Sequence, residues 1–123
     1  MIKEARIYIG NLPGDYLFEI QKGLSFISLA TKIRTGDLVF IKPNLTFPHY
    51  KKGVMTSPRC IEQLIIALKD YTGNIMIGEA DGGGYNRFSM DVVFDKTGLF
   101  EIAKKYEAKI VNLSTQSSSL KNS

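Results

Sequence analysis

Two stretches of the chain combine chemically capable residue types with the spacing of ligand-holding loops. The first covers residues 42–57, where Lys42 supplies a cation, Asn44 an amide, and Thr56 and Ser57 two hydroxyls just ahead of Pro58. Pro58 suits the first position of a helix, whose free N–H groups and dipole favour negative charge. Lys42, Asn44, Thr56 and Ser57 therefore form a candidate site for a phosphate or a carboxylate. The plainer alternative makes Ser57 an N-cap and Lys42 a solvated lysine. At this length the loop far exceeds the two to six residues usual between a strand and a helix, as ligand-binding loops often do.

The second stretch covers residues 78–88. Glu79 and Asp81 have strand spacing, which puts both carboxylates on one side. Such a pair can ligate Mg²⁺ through oxygen or act as acid and base. Gly82, Gly83 and Gly84 permit positive φ and let successive N–H groups converge on an anion. The competing structural reading pairs Asp81 with Lys42 across neighbouring strand ends. Phe47, His49 and Tyr50 lie mid-loop, either as a lid over a ligand or as the anchors of a surface loop. Cys60 reads as a small core residue.

These residues need a scaffold to bring them together. Runs rich in Val, Ile and Tyr predict strands at 5–10, 38–42, 74–78 and 109–113. Between them, apolar spacing predicts a helix over 15–33 through Leu17, Ile20, Leu24 and Ile27. A second helix starts at Ser57-Pro58, buries Ile61, Leu64, Ile65 and Leu68, and ends at Gly73. Shorter helices follow at 89–95 and 98–107. Alternation of short apolar strands with helices argues for an α/β three-layer sandwich: a mostly parallel four-stranded sheet with helices on both faces. In such sheets ligands bind beyond the carboxyl ends of the strands, where both loops emerge.

Composition bounds the rest. The 123 residues suggest one domain over 1–113, followed by a low-complexity tail at 114–123 expected to be disordered. Net charge is +4, and the interval between Asp37 and Glu62 has no acidic residue but holds Lys42, Lys51, Lys52 and Arg59. The excess thus sits in one segment, which suits an anionic partner. One histidine and one cysteine cannot assemble the common zinc sites. The P-loop, dinucleotide-binding and nucleophile-elbow patterns are absent. A single cysteine, charges within the first six residues and the lack of a long apolar run fit a cytoplasmic protein without a membrane segment.

The order Ile41-Lys42-Pro43-Asn44, Thr56-Ser57-Pro58, Gly78-Glu79-Ala80-Asp81-Gly82-Gly83-Gly84 and Thr97-Gly98-Leu99 resembles the family called domain of unknown function 362. The resemblance covers about residues 1–113 and implies a Rossmann-like body. Some members append a cysteine-bearing segment that binds iron–sulfur clusters. This chain has only Cys60, so no cluster is expected in it.

The leading expectation is an anion-binding domain contributing part of an enzyme-like cleft, with Mg²⁺ as a candidate cofactor. Nucleic-acid binding through Lys42, Lys51, Lys52 and Arg59, with Phe47 and Tyr50 stacking on bases, ranks below it. A third reading is a subunit meeting a partner domain or a second copy along a free sheet edge, since four parallel strands look like half of a larger fold.

Overall fold

The computed structural model describes residues 4–12, 14–81 and 88–115. Its sheet has three parallel strands, β1 (Leu38–Ile41), β2 (Asn74–Glu79) and β3 (Lys109–Asn112), in the order β1-β2-β3. Val39 pairs with Ile75, and Ile77 with both Ile41 and Ile110, so β-branched side chains stack in register on one face. Among the described residues four α-helices accompany the strands: α1 (Tyr16–Phe26), α2 (Pro58–Leu68), α3 (Met90–Lys96) and α4 (Leu99–Lys105).

Strand order explains the layering. Crossovers between parallel strands are right-handed, and an order that advances in one direction carries successive crossovers over the same face. Accordingly Ile75 and Ile77 share one core with Ile61, Ile65 and Leu68 of α2, Val93 and Phe94 of α3, and Leu99 and Ala103 of α4. On the opposite face Leu38 and Phe40 are 51% and 43% exposed. Gly78 lies on that face too: a β-carbon there would fall 2.5 Å from the Phe40 ring and 3.0 Å from Val111, so the missing side chain is what lets Phe40 lie across the sheet.

The fourth strand expected at 5–10 is not present. Tyr8 instead turns toward α1, its hydroxyl donating to Glu19 at 2.7 Å and its ring meeting Phe26 at 5.6 Å between centroids. Ile7 and Ile9 face solvent at 79% and 89% exposure. With its one inward residue held by a neighbouring helix, the segment makes no sheet pairing, although Ile7 and Ile9 give it a second apolar face. Gly23, odd in a helix, lies beneath Tyr8: a β-carbon there would be 3.3 Å from that ring.

Helix α1 is shorter than its apolar spacing predicts. Asp15 caps it by accepting from the Phe18 N–H, but Ser28 takes a left-handed conformation at φ 56° and stops the helix, leaving a 3₁₀ turn at Leu29–Thr31. Helix α2 begins as expected, with the Ser57 hydroxyl accepting from the Cys60 N–H at 3.0 Å and Pro58 at the first position. It ends at Leu68, before Gly73, because Thr72 pulls the chain away. The Thr72 hydroxyl shares its hydrogen between the carbonyls of Thr35 (2.9 Å) and Asp37 (2.6 Å) and accepts from the Asn74 N–H (3.1 Å). This knot, 1% exposed, fastens the amino ends of β1 and β2. No helix among the described residues is long and apolar enough to cross a membrane.

Candidate functional site

The carboxyl ends of β1 and β2 carry the first two candidates. Ile41 pairs with Ile77, so Lys42, one residue past β1, stands level with Gly78 and within reach of Glu79. Its ammonium lies 3.3 Å from Glu79 Oε1. That oxygen also accepts from the Ala80 N–H at 2.8 Å. Glu79 is 7% exposed, while the Lys42 side chain is 63% exposed. The central strand thus ends in a buried carboxylate whose counter-ion faces solvent.

Asp81 does not pair with Lys42. Its Oδ1 accepts from the Met90 N–H at 2.7 Å, where α3 begins, and its own N–H donates to Ser114 Oγ at 2.8 Å. Register decides the difference: Asp81 is two residues beyond the end of β2, past the reach of Lys42, and α3 returns beside it. Glu79 and Asp81 are therefore near in sequence but engaged by different partners. No group of three or more His, Cys, Asp or Glu with metal-site geometry occurs among the described residues.

The first loop's polar residues mostly fasten the loop to itself. Asn44 N–H donates to Thr56 Oγ1 at 3.0 Å, Thr56 N–H returns to the Asn44 carbonyl at 2.9 Å, and Asn44 Nδ2 donates to the Val54 carbonyl at 2.9 Å. These three bonds zip the base of the loop, placing Thr56 and Ser57 directly ahead of α2. Leu45 and Met55 are buried between the zipped strands of the loop and the core. Ser57 is an N-cap, as the plainer reading holds. Gly82, Gly83 and Gly84 lie outside the described residues.

The loop's aromatics divide. Phe47 packs on the core and meets Phe88 edge-on at 6.5 Å, with the Lys51 ammonium 3.9 Å over its ring. His49 and Tyr50 are exposed. The basic excess is thus dispersed: Lys42 is paired with a carboxylate and Lys51 sits on an aromatic face. Cys60 is half-buried, and burial raises its thiol pKa above the ordinary value, so it stays protonated.

Two residues at this edge escape sequence reasoning. Asn112, the Cα partner of Glu79, is 4% exposed. Its Oδ1 accepts from the Ser114 N–H at 3.0 Å, and its Nδ2 finds no acceptor among the described residues. Ser114 accepts from Asp81 and so ties the end of β3 to the end of β2. The turn at this point runs on to Thr115, whose hydroxyl donates to the Asn112 carbonyl, two residues past the boundary expected from composition. An asparagine in a strand carries no pattern, and a serine opening a low-complexity tail carries less.

Two cavities of about 330 and 310 Å³ flank α1, one lined by Arg6, Phe26 and Lys32, the other by Tyr8, Ile20 and Leu24.

No curated protein and no solved structure matches the chain. One family does, over residues 39–122. That span opens inside β1, not at residue 1 as the motif resemblance suggests, and leaves α1 and the segment before it outside. It takes in Lys42, Glu79, Asp81 and Asn112, every residue that meets at the carboxyl edge. Over that span, more than half of its length, the chain belongs to the family described as Domain of unknown function (DUF362).

Proposed function

We propose that the carboxyl edge of this sheet binds a small anionic ligand, a phosphate or a carboxylate, and contributes one wall of an enzyme-like cleft. The observation that carries the reading is the Lys42–Glu79 pair. A buried carboxylate gains little stability from its ion pair, because desolvation offsets the Coulomb attraction. Its presence at the edge where parallel sheets hold ligands is better accounted for by binding. Lys42 has three N–H donors, so it holds Glu79 and still offers donors outward. Ser57 and Thr56 at the start of α2 stand on the same loop.

Charge balance adds Mg²⁺ to the proposal. Glu79 and Asp81 would hold it through carboxylate oxygens, and its two positive charges would offset those carboxylates and the bound anion. The test is a titration of inorganic phosphate and of acetate, each with and without Mg²⁺, followed by amide NMR. Shifts clustered at Lys42, Glu79 and Ser57 that vanish in Lys42→Ala support the reading. Absence of any shift at millimolar anion under all four conditions overturns it.

The nucleic-acid alternative draws less support, because Lys51 covers the ring face of Phe47 that a base would stack on. The Rossmann-like three-layer form remains part of the proposal, supported by the apolar side chains of Leu38 and Phe40 on the sheet's uncovered face. The same holds for a reducing cytoplasm, which suits a lone protonated thiol, and for a second copy or partner domain along the sheet edge.

A further inference from the structure

Resting on that reading, we infer that Asn112 is the residue that reads the ligand, its Nδ2 donating to an oxygen of the bound anion. Three observations lead there. The amide's orientation is settled by its network: Ser114 N–H requires an acceptor and takes Oδ1 at 3.0 Å, so Nδ2 is the atom left over. That atom is a buried donor without an acceptor among the described residues. Buried N–H groups are nearly always paired, and an orphan in a native structure calls for a partner. Finally, Asn112 is the ladder partner of Glu79, so it stands on the same face and at the same level as the carboxylate that holds Lys42.

The donor type defines what fits. An amide NH₂ group only donates, so it selects a carboxylate, phosphate or carbonyl oxygen and rejects an amine or an N–H. With the Lys42 ammonium also a donor, the two residues together describe a group that presents at least two oxygens. The turn that follows Asn112 is fastened to β2 by two hydrogen bonds, from Leu113 N–H to the Glu79 carbonyl at 2.9 Å and, exposed, from Asp81 N–H to Ser114 Oγ at 2.8 Å. Entry of the oxygen opens the exposed bond, while Oδ1 keeps its hold on the backbone.

The side-chain NH₂ resonances of Asn112, observed in the wild-type protein during titration with inorganic phosphate or acetate in the presence of Mg²⁺, test this directly. Movement of that pair with the same midpoint as the Lys42 region is the expected result. Asn112→Asp keeps an acceptor for Ser114 N–H but sets a negative oxygen where the donor stood. It is expected to weaken anion binding roughly tenfold or more, about the loss that one charge-assisted hydrogen bond represents, and to lower the melting temperature as well, because it buries a second carboxylate beside Glu79. If wild type binds, Lys42→Ala weakens binding, and the Asn112 resonances and the Asn112→Asp affinity stay unchanged, the inference falls and the anion-site reading stands. A cross-peak to slowly exchanging water that no anion perturbs overturns it equally. If the wild type binds nothing, both fall together. Should Asn112→Asp not fold, the wild-type resonances decide alone.

Discussion

The two ends of the sheet are built from the same strands and treat their polar groups in opposite ways. At the amino end, Thr72 uses its hydrogen and its oxygen at once, on Thr35, Asp37 and Asn74, and leaves nothing over. At the carboxyl end, Lys42 reaches into solvent beside a buried carboxylate, and Asn112 keeps a donor that no acceptor among the described residues takes. A closed set of hydrogen bonds holds structure, whereas an open set has capacity for something else. The difference teaches that burial alone does not mark a site, since Thr72 is more buried than Asn112. What marks it is donor and acceptor capacity that the fold does not consume.

That contrast can be broken by substitution. Thr72→Val is expected to have the largest effect on stability, about 1–3 kcal/mol, because it leaves Asn74 N–H and two carbonyls without their partner. Chemical denaturation measures the loss, and anion affinity measured in parallel should not move. Ser57→Ala comes next, at about 1 kcal/mol for a lost helix cap. Its denaturation midpoint should shift while the anion-induced NMR pattern keeps its positions; a pattern that disappears would make Ser57 a ligand contact and not only a cap.

Lys42→Ala should remove anion binding, which Thr72→Val leaves in place; it also takes the counter-ion from the buried Glu79 carboxylate, which keeps the Ala80 N–H, so the unfolding midpoint falls too. Anion binding that survives Lys42→Ala would erase the distinction between the two ends.

The smallest effects belong to the N-terminal segment, held to α1 by a half-buried cluster. The Tyr8 hydroxyl, then Lys22, holds the Glu19 carboxyl below the usual glutamate value near 4.5, and the same contact to Glu19 raises the Tyr8 phenol. A carboxyl lowered in the folded state contributes stability that is present above its unfolded value and is lost as pH falls through the lower folded one. An NMR pH titration should therefore find Glu19 returning toward 4.5 in Tyr8→Phe, with the amides of residues 7–9 losing their dispersion first on acidification of the wild type. Alkylation of Cys60 offers a finer check. Its raised pKa predicts slower reaction with iodoacetamide at neutral pH than an unperturbed thiol shows.

Local features were legible in the sequence. Ser57-Pro58 announces the start of α2 because cap and first turn are consecutive residues, and Ile61, Ile65 and Leu68 declare its buried stripe by spacing alone. The three strands follow from β-branched runs that need no partner to be recognised. Residues 5–10 have the same look, but Tyr8 is claimed by α1, a competition that strand propensity does not contain. The candidate site was partly visible. Its first loop was evident from length. The choice of Glu79 over Asp81 as partner for Lys42 depends on how far β1 and β2 are staggered, and the role of Asn112 depends on a ladder partner more than thirty positions away.

The pairing pattern carries a kinetic consequence. Leu38 pairs with Asn74 and Met76 with Lys109, so no strand of this sheet meets its neighbour through a hairpin. Each ladder forms only after a loop of more than thirty residues has closed, an entropic toll met before any sheet hydrogen bond is gained. Since β2 is the shared partner of both ladders, assembly converges on it. Its amides should be the last to exchange with deuterium, and a lesion in β2 should slow refolding more than the same lesion in either flanking strand.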